Sequence, residues 1–272
     1  MGKITIALPL FAVAVLAAPV VSASVLRVPE GYRNIRQAVD AAEQGDVIIV
    51  GAGNYSENIV IRKAVQLRSI KGPEATVVTA AVKTEPVFKI DHAAKAVVSG
   101  FTATGSSVSG FSLHNADASR ILDNRAVKNG SGILVYSSSA NHITGNAADS
   151  NTQYGIYLEA STGNTVMDNS ADMNGDTGIF LSSSNSNLLS GNSANVNTWN
   201  GILLWSSHRN AVKGNKVLRN AFSIVESDSD GNDVGGNTTF PNFVLILPVI
   251  LIYAGIVFYL IQKNILRKIY KV

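Results

Sequence analysis

Short runs in which apolar and polar residues alternate with period two fill the chain from about Val47 to Asn237, which is the signature of half-buried strands. No stretch within this region has the length or the 3.6-residue rhythm of a helix. Ile133, Ile156, Ile179, Ile202 and Ile224 form one inward column, preceded by Phe88 and Phe111. Leu113, Val135, Leu158, Leu181 and Leu204 form the next. Ile121, Ile143, Val166, Leu189 and Val212 belong to a second strand, and Ala126, Ala148, Ala171, Ala194 and Val217 to a third with less room.

The columns recur because the sequence repeats itself. Gly110, Gly132, Gly155, Gly178 and Gly201 keep a spacing of 22 to 23 residues. The same register holds for Asn124, Asn146, Asn169, Asn192, Asn215 and Asn237, and for two further Asn columns beginning at Asn129 and Asn141. Three short strands per period, parted by Asn or Gly corners, make one turn of a solenoid; helical repeats are longer. The expected fold is all-β, a right-handed parallel β-helix of about eight rungs at strand spacing. Stacked Asn side chains can bond one another and the corner backbone, and Asn tolerates the left-handed conformation that corners need, so these columns are assigned a structural ladder. An uncapped stack would template aggregation. "GYRNIRQAVDAAEQGD" supplies a cap, with Ile35, Ala38, Val39 and Ala42 on one helical face.

The two ends differ from the repeat. Residues 1–23 carry an early Lys, an apolar run and small residues before Ser24, as a secretory signal does. Residues 243–261 carry no formal charge and are followed by a basic tail over 262–272, the pattern of a transmembrane helix with its positive flank in the cytoplasm. The expected organisation is therefore a signal, an extracytoplasmic domain over 24–240 anchored at the cell surface, a membrane helix and a cytoplasmic tail.

Charge then removes one class of partner. The formal net charge is +3, but taking Lys3, Lys263, Arg267, Lys268 and Lys271 from the 22 basic residues leaves 17 against 19 acids. The basic balance sits at the ends, which argues against a nucleic-acid partner. With no Cys there is neither a disulfide framework nor a thiolate metal centre.

The segment "VPEGYRNIRQAVDAAEQGDVIIVGAGNYSENIVIRKAVQLRSI" resembles the N-terminal turn of right-handed parallel β-helix proteins, and the Gly-Ile/Asn/Asn repeat resembles the NosD-like group of carbohydrate-binding and sugar-hydrolase β-helix domains. The resemblance covers about 25–238. It implies the fold, and for activity a range: polysaccharide lyases, hydrolases and epimerases, surface proteins, and a periplasmic maturation factor for a copper enzyme. It also directs attention to the outer face of one strand column.

Between the inward columns, one outward column reads Lys89, Ser112, Leu134, Tyr157, Phe180, Leu203, Val225, and the next reads Asp91, His114, Tyr136, Glu159, Ser182, Trp205, Ser227. Aromatic faces stack on sugar rings while flanking polar groups bond hydroxyls, so Lys89, Tyr157, Phe180 and Trp205 are the expected glycan-binding residues. Asp91, His114, Tyr136 and Glu159 are the expected acid–base set should the protein be an enzyme. Asp149 and Asp172 share an outward column as a rival carboxylate pair, with solvated decoration the favoured reading. The four His lack metalloprotease spacing, and only Met167 and Met173 remain for a copper relay, so no metal site is expected. A weak Ca²⁺ loop is conceivable at Asp228, Asp230 and Asp233, although Gly231 is out of EF-hand order. Three Asn-x-Ser/Thr sequons begin at Asn54, Asn129 and Asn237. The expected function is a membrane-anchored surface protein that binds or organises glycan. The alternatives are a polysaccharide-cleaving or epimerising enzyme, a scaffold or adhesin meeting a protein partner, and a copper-enzyme maturation factor.

Overall fold

A computed structural model describes residues 23–240 and 243–270; in the second segment, side chains are described for Leu247 and residues 251–263. The expected signal lies almost wholly outside the described residues.

Every strand pairs in parallel with its counterpart one repeat away. One sheet has ten strands, beginning with Val25–Val28 and Val47–Val50 and ending with Asp233–Gly235. A second has eight, from Ile59–Ile61 to Phe222–Ser227. The third face has four strands up to Arg125–Val127, continues as single bridges through Ala147, Ser170 and Ser193, and ends in a two-stranded sheet. This is an all-β parallel solenoid of about nine turns, one more than the repeat alone suggests, because Val25–Val28 precedes it and pairs with Val47–Val50.

The apolar columns line the interior as expected, and Phe88 stacks on Phe111 at 5.0 Å between ring centres. Glycine is required in its column by close approach. A Cβ on Gly155 would lie 2.6 Å from the Gly178 carbonyl oxygen and 2.7 Å from the Ala171 Cβ, so Gly and Ala together make room for a narrow corner.

Each buried Asn ladder uses both ends of its amide. Asn169 Oδ1 accepts from the Asn146 backbone N–H at 2.9 Å and from Asn146 Nδ2 at 2.9 Å, while its own Nδ2 donates to the Ile143 carbonyl at 2.8 Å and to Asn192 Oδ1 at 3.0 Å. One reason given for Asn is corrected. The left-handed residue is the one before each ladder Asn, for example Asp123, Gly145, Asp168 and Gly191, or Lys128, Ser150, Met173 and Val196. That residue bends the chain, and the Asn that follows satisfies the corner backbone. A β-branched Val in this conformation is strained by about 1–2 kcal/mol, so the ladder rather than local preference holds the corner. A fourth ladder escaped the sequence reading: Ser138, Ser161, Ser184, Ser207 and Ser229 each accept from a backbone N–H one turn earlier, starting with Ala116 N–H to Ser138 Oγ at 2.9 Å.

The helix α1, Ile35–Ala41, caps one end, burying Ile35, Ala38 and Val39. Asn34 accepts from the Gln37 N–H, and the Glu57 carboxylate takes the Ile35 and Arg36 N–H groups at 3.0 and 2.8 Å, satisfying donors a helix start leaves free. At the other end the inward column fails: Glu226 stands opposite Leu204, and Phe222 and Phe240 are exposed. Beyond it the backbone of Phe243–Tyr270 forms the helix α2. Among the described residues no helix is long and apolar enough to cross a membrane. The transmembrane helix expected over 243–261 is therefore not one of the observed elements.

Candidate ligand-binding ribbon

Strand register places both outward columns as the period demands. Lys89, Ser112, Leu134, Tyr157, Phe180, Leu203 and Val225 are successive partners in the eight-stranded sheet, and so are Asp91, His114, Tyr136, Glu159, Ser182, Trp205 and Ser227. The ribbon has two chemically distinct stretches.

The first centres on Asp91, which is buried at the outer surface by what it binds. Its Oδ1 lies 3.0 Å from Lys89 Nζ, 3.1 Å from His92 Nδ1 and 3.2 Å from His114 Nδ1, and Arg62 Nε is 3.4 Å from Oδ2. Burial alone would raise this carboxyl; the hydrogen bonds from Lys89, His114 and His92 and the Lys89 charge outweigh it and lower the pKa from 3.8 to about 2. His92 follows Asp91 directly and in a regular strand would face the other way. It has φ of 54°, and its equivalents on the following turns, Asn115, Ser137, Ala160, Ser183, Ser206 and Asp228, have φ of 47–49°. The corner is thus a property of the fold, and here it returns the imidazole to the carboxylate.

Asp91, His92 and His114 form a group whose ligand atoms lie within 4.8 Å of one another. A helical ligand spacing misses His92 and His114. Their separation of 22 residues, one solenoid turn, was the signal. Asn115 Nδ2 lies 3.0 Å from His92 Nε2, and the His114 ring stacks on Tyr136 at 5.2 Å and 8°.

The second stretch is aromatic. Tyr157 stacks on Phe180 at 4.9 Å and 5°, with Tyr154 leaning on both at 5.0 and 5.3 Å. Burial, with the neighbouring Glu159 carboxylate, pushes the Tyr157 phenol up to about 12. Phe180 corrects one expectation. It is only 7% exposed, because the two tyrosines cover it, and it supports the platform rather than meeting a ligand. The open rings are Tyr136 at 38% and Trp205 at 51%, and Trp199 is 55% exposed just before the strand that ends in Trp205.

The proposed acid–base residues occupy four consecutive turns. Asp91 touches His114, and His114 touches Tyr136, but Glu159 stands three strand spacings from Asp91, about 14 Å, beyond the roughly 5–9.5 Å between paired glycosidase carboxylates. Asp149 and Asp172 are not solvated decoration. Asp149 Oδ1 accepts from Ser170 Oγ and the Asp172 N–H, each at 2.8 Å, and Asp172 Oδ1 accepts from the Asn195 N–H at 2.6 Å, a further ladder. Burial, with the Asp172 charge adding to it, raises the Asp149 carboxyl despite those bonds. Of the acids near the end of the stack, Asp233 pairs with Lys213, and Asp230 Oδ2 lies 4.0 Å from His208 Nδ1. Of the sequons, Asn129 and Asn237 are committed to ladders and Asn54 is exposed.

A parallel β-helix with a polar and aromatic outer ribbon is the class these observations define. Within that class, the model of the NosD family, described as periplasmic copper-binding protein, matches residues 39–246, and the chain belongs to this family. No curated protein matches it. Among solved structures it is similar to the periplasmic alginate epimerase AlgG, with a TM-score of 0.55 and 17% identity over 73% of this chain and 60% of that one. It is also similar to ORF18 of Geobacillus virus E2, with a TM-score of 0.57 and 14% identity over 79% and 60% of the two chains. The Dettilon tailspike protein gives 0.51 and 15% over 80% and 62%. At these identities the likeness is one of fold, and the chain spans about 60% of the AlgG structure.

Proposed function

We propose that the protein is an exported solenoid, held at the cell surface by its C-terminal helix, that binds polysaccharide along the outer ribbon of its eight-stranded sheet. The observation that carries this reading is the open aromatic pair, Tyr136 and Trp205, in one outward column on either side of Glu159 and Ser182. Rings about 14 Å apart, with hydroxyl and carboxylate groups between them, suit an extended chain of sugars. Structural neighbours that include an alginate epimerase and a tailspike are consistent with it. Binding is favoured over catalysis because Asp91 is held ionised by its partners and Glu159 is too distant to complete a carboxylate pair. The anchor rests on the charge-free stretch 243–261 and the basic residues after it. The extracytoplasmic site agrees with the periplasmic description of the family.

A glycan array probed with the detergent-solubilised full chain tests the reading. Binding to an extended polysaccharide is expected, with Trp205→Ala and Tyr136→Ala each weakening it by about 1–2 kcal/mol or more, the scale of a lost aromatic contact. No saturable signal at high protein concentration, or a signal untouched by both substitutions, would remove it. The family description supplies a second reading, in which the chain handles copper; the cluster of Asp91 with two imidazoles favours it.

A further inference from the structure

Resting on the export reading above, we infer that the chain is cut between Ala23 and Ser24 and that the Asp46 carboxylate receives the α-ammonium group this cut creates on Ser24. Val21 and Ala23 stand three and one residues before that bond, the small-residue pattern of a leader cleavage site. The reaction is hydrolysis of one amide. Water supplies the second oxygen of the Ala23 carboxylate, which departs with the leader, and both its protons pass to the Ser24 nitrogen, which stays behind as an ammonium.

The solenoid begins at the same residue. The Ser24 carbonyl accepts the Val47 N–H at 2.9 Å, where Val25–Val28 starts to pair with Val47–Val50, and the Ser24 nitrogen lies 2.7 Å from Asp46 Oδ1. Strand register makes Asp46 the counterpart of Asn141 and Asn164, since each stands directly before a strand of the ten-stranded sheet. Those Asn side chains receive a backbone N–H from the turn before, Ser119 to Asn141 at 2.8 Å and Asn141 to Asn164 at 2.9 Å. They also donate to that turn, as Asn141 Nδ2 does to the Ala116 carbonyl at 2.8 Å. At the first turn the neutral amide is replaced by a carboxylate. A neutral amide suffices for a peptide N–H, as the later turns show, whereas a carboxylate suits an ammonium.

The acceptor is held in place and its partner is open to water. Asp46 is only 5% exposed, and its Oδ2 takes the Glu43 N–H at 2.8 Å. Hydrogen bonds from the Glu43 and Ser24 N–H groups keep its carboxyl below the usual value, so it is ionised at neutral pH. Ser24 is exposed, which leaves the other two ammonium hydrogens to solvent. Around them the cleft also carries Glu30, Glu43 and Arg27, with Arg27 Nε 3.9 Å from Glu30. Lys63 stands on the far side of Asp46, donating to the Asp40 and Ala42 carbonyls. Contact with Asp46 therefore raises the α-amine above its ordinary range of about 7.7–8.0. The ion pair contributes its full stability below that range and loses it as pH rises through the folded value.

The experiment uses the full chain, produced in an exporting host and solubilised in detergent. Intact mass and N-terminal sequencing give the first residue, and the pH profile of trace acetylation by acetic anhydride, read by mass spectrometry on the N-terminal peptide, gives the titration of the α-amine. Ser24 is the expected first residue, with a midpoint above the ordinary range. Asp46→Asn should return the midpoint to that range and speed labelling at neutral pH by about threefold or more. Glu43→Gln removes a charge from the cleft but keeps the contact, and should leave the midpoint close to that of the parent. Melting curves check that both variants fold; should Asp46→Asn fail to fold, the midpoint of the parent decides alone. A first residue other than Ser24, an ordinary midpoint in the parent, or a Glu43→Gln midpoint as low as that of Asp46→Asn would overturn the inference. Retention of Met1 removes the export reading with it, whereas cleavage at another bond removes this inference alone.

Discussion

The corners and the outer ribbon of this solenoid are built from the same repeat, yet they tolerate change in opposite ways. At the corners, turn after turn presents the same atoms: an amide oxygen receiving a backbone N–H from the turn before, and an amide nitrogen reaching its carbonyl. On the ribbon, consecutive turns of one column present Asp, His, Tyr, Glu, Ser and Trp. Repetition marks positions where neighbouring turns must match each other. Departure from repetition marks positions free to match something else.

The sharpest way to break this contrast is to strike a ladder. Asn169→Ala strands buried groups on adjacent turns, including the Asn146 N–H and the Ile143 carbonyl, at about 1–3 kcal/mol each. A loss of roughly 3–5 kcal/mol is expected in denaturant unfolding. Gly155→Ala forces a methyl against the Gly178 carbonyl and the Ala171 side chain and should cost about 1–3 kcal/mol. The ribbon should respond to acid instead. The Asp91 carboxyl is lowered on folding, so its contribution to stability is complete above about pH 4 and disappears as pH falls through about 2. Asp91→Asn should flatten that part of a stability–pH curve and leave the neutral-pH ladders intact. Trp205→Ala, on an exposed ring, should shift stability by no more than about 0.5 kcal/mol. If it unfolded the chain as Asn169→Ala does, the division between corner and ribbon would be lost.

The same contrast explains what could be read from the chain. Inward columns such as Ile133, Ile156 and Ile179, and the Asn ladders, are legible because stacking imposes one residue type at a fixed interval. The Ser ladder from Ser138 to Ser229 repeats equally well, but it is lost in Ser-rich surroundings where no Ser stands out. The Asn columns point to left-handed corners one residue too late, since Lys128, Met173 and Val196 carry no composition signal for that conformation. On the ribbon, register gave the neighbours of Asp91 and Trp205 correctly. It gave neither the burial of Phe180 beneath Tyr154 and Tyr157, a side-chain matter, nor the approach of His92, which depends on a backbone corner. Asp149 reads as decoration in sequence, because a carboxylate that accepts the next turn's backbone N–H looks there like any exposed acid.

The chain has two tryptophans, so Trp199→Phe leaves Trp205 as the sole indole reporter on the ribbon. Acrylamide quenching of that fluorescence, with and without the polysaccharide selected by the array, tests the central claim most directly. Saturable protection of Trp205 at an unchanged melting temperature is the expected result. Quenching that stays the same at saturating polysaccharide would contradict the account of the ribbon as the binding face.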